Sequence, residues 1–131
     1  MKQPLLTALL AVAVFVAPAA ESHHSFAAVY DAEKTVTIEG KIVQFQYRNP
    51  HSVLHVLVPD ASGTEMRYAI EWQGATQLGA AGISAQTIHA GDPVTLTGHP
   101  GRIEAEHRIL LLSLERTSDG FKWNNGGGGL N

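Results

Sequence analysis

Histidine is the residue type with the most scope for chemistry in this sequence of 131 residues. Seven histidines are present and cysteine is absent. The lack of cysteine excludes disulfides, thiolate zinc sites, iron–sulfur clusters, covalently attached haem and cysteine nucleophiles. Imidazole nitrogens suit Cu(II), whereas Cu(I) transport would call for thiolates or a methionine-rich tract, and the chain has only two methionines. A metal site in this protein would therefore be a nitrogen site.

Two adjacent histidines, His23 and His24, lie close to a predicted cleavage point. Small residues are required three before and one before a signal peptidase cut. Cutting after Ala20 leaves Glu21 first, so the amine, two amides and the third-position imidazole can form a square-planar set of four nitrogens. Cutting after Ser22 leaves His23 first, and its amine and imidazole can bind one copper with a further imidazole from the fold. Cutting after Ala19 is also compatible with the pattern, and the alternative to a metal site is a solvated terminus.

The residues before these histidines have the pattern of a secretory signal peptide. Met1 and Lys2 give a positive start, an apolar run follows from Leu5 to Val16, and small residues occupy 17–20. This run is shorter than the roughly 20 residues that a membrane-spanning helix needs. We expect residues 1–22 to be removed and the mature protein to be periplasmic or secreted, with no membrane contact after cleavage.

The body of the chain alternates predicted strands with turns. Strands are predicted at 35–47, 52–58, 65–72, 94–98 and 107–115, and a short helix at 74–82. The apolar face of the first strand changes parity partway along, which indicates a bulge, and Gly40 would tolerate a sharp bend. This order predicts an all-β fold, a small five-stranded OB-like Greek-key barrel with one short helix between strands three and four.

The chain divides into three predicted segments. The signal peptide occupies 1–22, the barrel domain 23–117, and a flexible tail 118–131. Glycines at 126–129, with asparagines just before them, make the last segment low in complexity.

The spacing of the histidines limits which of them can share an ion. His51 and His55 face the same way on the second strand, but four residues of strand separate them by about 13 Å. A shared site therefore requires the N-terminal arm to fold back over the barrel. His51 lies in the Asn49-Pro50 turn and is better placed to meet the arm, so the predicted copper ligands are His23, His24 and His51. The alternative for every internal histidine is a structural or solvated role.

Other chemistry finds little support in the sequence. No zinc-protease helix, phosphate-binding glycine loop or nucleophile elbow is present, which predicts that the protein is not an enzyme. Glu71 is assigned to a strand exterior and Asp92 to a turn, while Tyr68 and Trp72 are assigned to the core. The net charge of −3 disfavours nucleic acid as a partner.

Four short motifs occur together along the chain. They are His-His-Ser-Phe at 23–26, Tyr-Asp at 30–31, Asn-Pro-His at 49–51 and a Gly-Asp-x-Val-x-x-x-Gly segment at 91–98. In this respect the sequence resembles a family of small exported bacterial proteins of unknown function. The resemblance spans about 22–115 and implies a small residue directly before the paired histidines, which favours the cut after Ser22. It implies no particular activity.

These observations predict an exported small binding protein that binds Cu(II) through its N-terminal histidines. Its expected partners are a metal ion or small ligand, with an exported protein partner as a further expectation. The competing hypothesis is a non-catalytic interaction module of an exported complex, which docks through its barrel face or its tail and needs no metal.

Overall fold

The computed structural model describes residues 26–126, which form a mostly β structure. Residues 26–29 make one helical turn and the main elements follow. They are the strands β1 (Val36–Gln46), β2 (Val53–Pro59) and β3 (Glu65–Glu71), the helix α1 (Ala75–Ala80), the strand β4 (Pro93–Pro100), a 3₁₀ turn (Glu104–Glu106), and the strands β5 (Arg108–Arg116) and β6 (Phe121–Asn124).

The strands form a closed barrel with one additional strand. Their order is β3-β2-β1-β4-β5-β6, with antiparallel neighbours throughout. Parallel pairing of β3 with β5, from Ala69 opposite Arg108 to Glu71 opposite Leu110, closes the ring of the first five strands. The predicted all-β, five-stranded barrel with a short helix between β3 and β4 is confirmed.

Strand β1 is long because it serves two neighbours in turn. Its first half pairs with β4 and its second half pairs with β2, and Lys41 takes part in both ladders. The register shifts between Ile42 and Gln44, which is the irregularity that the change of apolar parity predicted. Gly40 lies where β1 and β2 approach closely, since a Cβ there would be 2.3 Å from the carbonyl oxygen of Leu57.

One set of apolar side chains fills the barrel. Trp72 is buried in it, as its position in the alternating third strand predicted, and Tyr68 packs against the same cluster while partly exposed. The other buried apolar members are Ile42, Leu54, Val56, Ile70, Leu78, Ile83, Ile88, Val94, Leu96, Ile109, Leu111, Leu114 and Trp123. This core fixes the outer faces of β2 and β3, where the site described below lies.

Within the tail predicted to be flexible at 118–131, residues 121–124 instead form the strand β6. Residues 121–124 pair with Ser113–Arg116 of β5, along the edge that β3 leaves free beyond Glu71. Trp123 is 9% exposed and its ring meets that of Trp72 with centroids 5.1 Å apart. The burial of this side chain holds the segment on the barrel, although only four residues of strand are present. Residues 127–131 lie outside the described part of the chain.

Candidate functional site

A cavity of about 400 Å³ lies where the N-terminal segment crosses the ends of several strands. Of the three predicted copper ligands, His51 lines this cavity, while His23 and His24 lie outside the described residues. Its lining comes from the N-terminal segment, the β1–β2 turn, β2, β3 and the start of β5. The lining residues are Tyr30, Arg48, Asn49, Pro50, His51, Val53, Ala69, Glu71 and Arg108.

The β1–β2 turn that carries His51 is fixed on two sides. The hydroxyl of buried Ser52 donates to the carbonyl of Arg48 and accepts from its N–H, each at 3.2 Å. On the other side, the side-chain oxygen of Asn49 accepts from the N–H of Thr76 in α1 at 3.1 Å. The Asn49–Pro50 peptide bond is cis. His51 thus follows a turn whose backbone is held by both the barrel and the helix.

Glu71 lies at the centre of the polar contacts in the cavity. The hydroxyl of Tyr30 donates to its Oε2 at 2.5 Å, and Nη2 of Arg108 lies 3.5 Å from the same oxygen. Its other oxygen, Oε1, is 3.9 Å from Nδ1 of His51. The alternation of the third strand predicts only a strand exterior for Glu71. Its partners lie 41 residues before it, in Tyr30, and in the fifth strand, so no local pattern could reveal them.

The phenol of Tyr30 is held as a hydrogen-bond donor. Burial raises its pKa well above the usual value, and the hydrogen bond to Glu71 and the negative charge of that carboxylate raise it further. The nearby guanidinium of Arg108 opposes the shift without cancelling it. Tyr30 therefore keeps its proton at neutral pH and anchors one oxygen of Glu71.

The N-terminal segment packs against the barrel beside His51. The ring of Phe26 meets the imidazole of His51 edge to face, with centroids 5.1 Å apart and planes at 86°. The carbonyl of Phe26 accepts from the N–H of Tyr30 at 2.8 Å, and the N–H and guanidinium of Arg102 bond the carbonyls of Val29 and Ala27. Phe26, the first residue that the structure describes, thus contacts His51, which the sequence predicts to be a copper ligand.

The other described histidines lie outside this cavity. Burial lowers the pKa of His55, and the positive charges of neighbouring arginines lower it further. Nδ1 of His99 is 2.7 Å from the carbonyl oxygen of Lys34, and the ring of His107 packs on that of Tyr68. Within residues 26–126, no three His, Cys, Asp or Glu side chains are grouped so that they could hold a metal ion. At this cavity the described chain places one imidazole, that of His51, near one carboxylate, that of Glu71.

Comparison with known proteins identifies the family of this chain. Neither the curated proteins nor the solved structures gave a match. Among the described residues, no helix has the length and apolar character needed to cross a membrane. The match that was found is to a family model and covers residues 10–109, most of the 131 residues. The chain belongs to DUF6152, a family of unknown function.

Proposed function

We propose that this chain is an exported protein that binds Cu(II) through His23, His24 and His51. The contact between the rings of Phe26 and His51 carries the proposal. Only Ser25 separates His24 from Phe26. Because consecutive Cα atoms are about 3.8 Å apart, the Cα of His24 lies within about 8 Å of the Cα of Phe26. The length of the chain thus allows the paired histidines to reach an ion bound by His51.

Glu71 has the position of a carboxylate that orients a metal-binding imidazole. A histidine ligand commonly donates its second ring N–H to a carboxylate, which fixes the ring and its tautomer. Oε1 of Glu71 lies 3.9 Å from Nδ1 of His51. A shift of the ring that brings the two atoms to a hydrogen-bond distance of about 3 Å would let Nδ1 donate and leave Nε2 for the ion. Tyr30 and Arg108 hold the other oxygen of Glu71 and limit the movement of its side chain.

Copper is favoured over other metals by the donor set. The proposed donors are imidazoles and, after export, a free amine and backbone amides. Nitrogen donors in a planar arrangement suit Cu(II), and cysteine is absent from the whole sequence. A mature start at Glu21 would give four nitrogens from the terminus alone, whereas a start at His23 would need the imidazole of His51. Of the two starts, His23 is the one that uses the observed contact of Phe26 with His51.

The test begins with the intact mass of protein recovered from an exported preparation, which defines the first residue. The same material is then titrated with Cu(II), and the hyperfine pattern in electron paramagnetic resonance counts the nitrogens. His51→Ala is compared with His55→Ala, a matched control on β2 outside the cavity. We expect one Cu(II) per chain, an affinity at least tenfold weaker in His51→Ala, and an unchanged affinity in His55→Ala.

Three results would contradict the proposal. The absence of stoichiometric copper would reject the metal function and favour the interaction module. Equal binding by His51→Ala and the wild type would confine the ion to the terminus and reject His51 as a ligand. Retention of residues 1–22 in the exported protein would leave His23 without the free amine that the site needs.

A further inference from the structure

We propose that the same cavity binds a small organic carboxylate, held by the guanidinium of Arg48. The lining contains two arginines, Arg48 and Arg108, against one carboxylate, that of Glu71. These three side chains together carry one net positive charge, although the chain as a whole has a net charge of −3. A cavity of one sign concentrates ligands of the opposite sign.

Glu71 and Arg108 already interact with each other inside the protein. Oε2 of Glu71 accepts from Tyr30 and lies 3.5 Å from Arg108, so these two charges largely offset each other. The guanidinium of Arg48 makes no hydrogen bond or ion pair with any residue in the range 26–126. A free guanidinium offers a planar fork of N–H donors that matches the two oxygens of a carboxylate. Arg48 is therefore the cation available to a ligand.

Hydrogen bonds hold the backbone of Arg48, so a ligand would need to order only its side chain. Its N–H and carbonyl are both bonded to the hydroxyl of Ser52, and its carbonyl also accepts from the N–H of Ala75 at 3.0 Å. The neighbouring Asn49 also lines the cavity. Because its side-chain oxygen is taken by Thr76, its NH₂ group is the part left to donate. The two residues of the turn that carry these donors thus line the same cavity.

The remaining lining favours an organic acid over inorganic phosphate. Pro50, Val53 and Ala69 give apolar surface next to the two donors. Small-ligand sites combine such apolar surface with a few convergent polar groups. A short carbon chain can cover this surface while its carboxylate meets Arg48, whereas phosphate has no apolar part to bury. The volume of about 400 Å³ accommodates a small dicarboxylate.

This site shares His51 with the proposed copper site but does not depend on metal. The test therefore uses the mature protein, labelled with ¹⁵N, freed of metal by EDTA and then dialysed into metal-free buffer without EDTA at constant ionic strength. Succinate is the probe, and phosphate is titrated separately. Amide shifts are followed at 48–51, 69–71 and 108. The variants are Arg48→Gln and, as a control, Arg67→Gln, which removes an exposed arginine of β3 outside the cavity.

We expect saturable shifts at these amides with succinate and weaker binding of phosphate. The dissociation constant should rise at least tenfold in Arg48→Gln, because a charge-assisted hydrogen bond is lost, and should stay unchanged in Arg67→Gln. The spectrum of each unliganded variant verifies its fold. The proposal is overturned if succinate gives no saturable shift, if phosphate binds as tightly, or if the two variants bind equally. Because this experiment contains no copper, a negative result with succinate would not decide the copper proposal. A negative result in the copper titration would likewise not decide whether the cavity binds a carboxylate.

Discussion

Replacing Tyr30 by Phe removes one oxygen from a buried polar cluster and leaves the ring in place. Tyr30 is 2% exposed, and its hydroxyl donates to Glu71 at 2.5 Å. The side chain of Glu71 is only 17% exposed, so water replaces this bond poorly. A hydrogen bond to a charged group contributes about 1.5–3 kcal/mol. We expect Tyr30→Phe to lower the free energy of unfolding by this amount at pH 7.

Urea unfolding of the wild type, Tyr30→Phe and Tyr47→Phe measures the effect. The hydroxyl of Tyr47 is also held, at 2.9 Å from the carbonyl of Ala75 and 3.0 Å from that of Ile83. Both of these acceptors are neutral, so Tyr47→Phe should cost only about 0.5–1.5 kcal/mol. A double-mutant cycle with Glu71→Gln then separates the Tyr30–Glu71 pair from its surroundings.

The pH dependence gives a second signature of the same bond. Burial raises the pKa of Tyr30 above the value of about 10 for an unfolded tyrosine. The unfolded chain therefore loses this proton first, and the stability of the wild type, complete below pH 10, falls as the pH rises further. Tyr30→Phe lacks this loss, so the stability difference between the two proteins should narrow above pH 10. A difference under about 0.5 kcal/mol at pH 7, well below a charge-assisted bond, or a constant difference from pH 8 to 11, would refute the reasoning.

Two further variants test the tail and the turn before β4. Trp123→Ala should lower the free energy of unfolding by about 3–5 kcal/mol, because it removes the packing against Trp72 and leaves a cavity. An unchanged midpoint of urea unfolding would show that β6 contributes nothing to the cooperative fold. Although burial of Asp92 opposes its ionisation, the N–H of His89 and the guanidinium of Arg116 outweigh it, so its pKa lies below the usual range. The stability that Asp92 provides is present above about pH 4 and is lost as the pH falls through the folded-state pKa. The deficit of Asp92→Asn should therefore be largest at pH 7 and smallest near pH 2, and urea unfolding that gives an equal deficit at both pH values would contradict this.

Much of the barrel could be predicted from the sequence because strand signals are local. Alternating apolar residues placed Trp72 in the core, and the change of parity after Gly40 predicted the irregular register of β1. The Asn49-Pro50 pair marked the turn that carries His51. Each of these conclusions depends on neighbours within a few residues, where side-chain parity and turn preferences act.

The expectation of a flexible tail fails for residues 121–124, because the composition of the segment hid the signal of Trp123. Glycines and asparagines near the end of the chain predicted a flexible segment from residue 118. Strand β6 is only four residues long, too short for a periodic pattern to emerge. It is held by the ring of Trp123 against that of Trp72, a contact that exists only once β3 and β5 have closed the barrel.

The sequence by itself determined which donors the chain possesses: histidines, carboxylates, arginines and no cysteine. It also placed His51 at a turn, where an imidazole can face a ligand. Only the tertiary structure decided that Glu71 lies beside it, held by Tyr30 and Arg108. These residues come from distant parts of the chain, and parallel pairing of β3 with β5 together with the crossing N-terminal segment brings them together. Local sequence patterns do not report contacts between distant segments. The contacts of Glu71 with Tyr30, Arg108 and His51 could therefore be seen only in the folded chain.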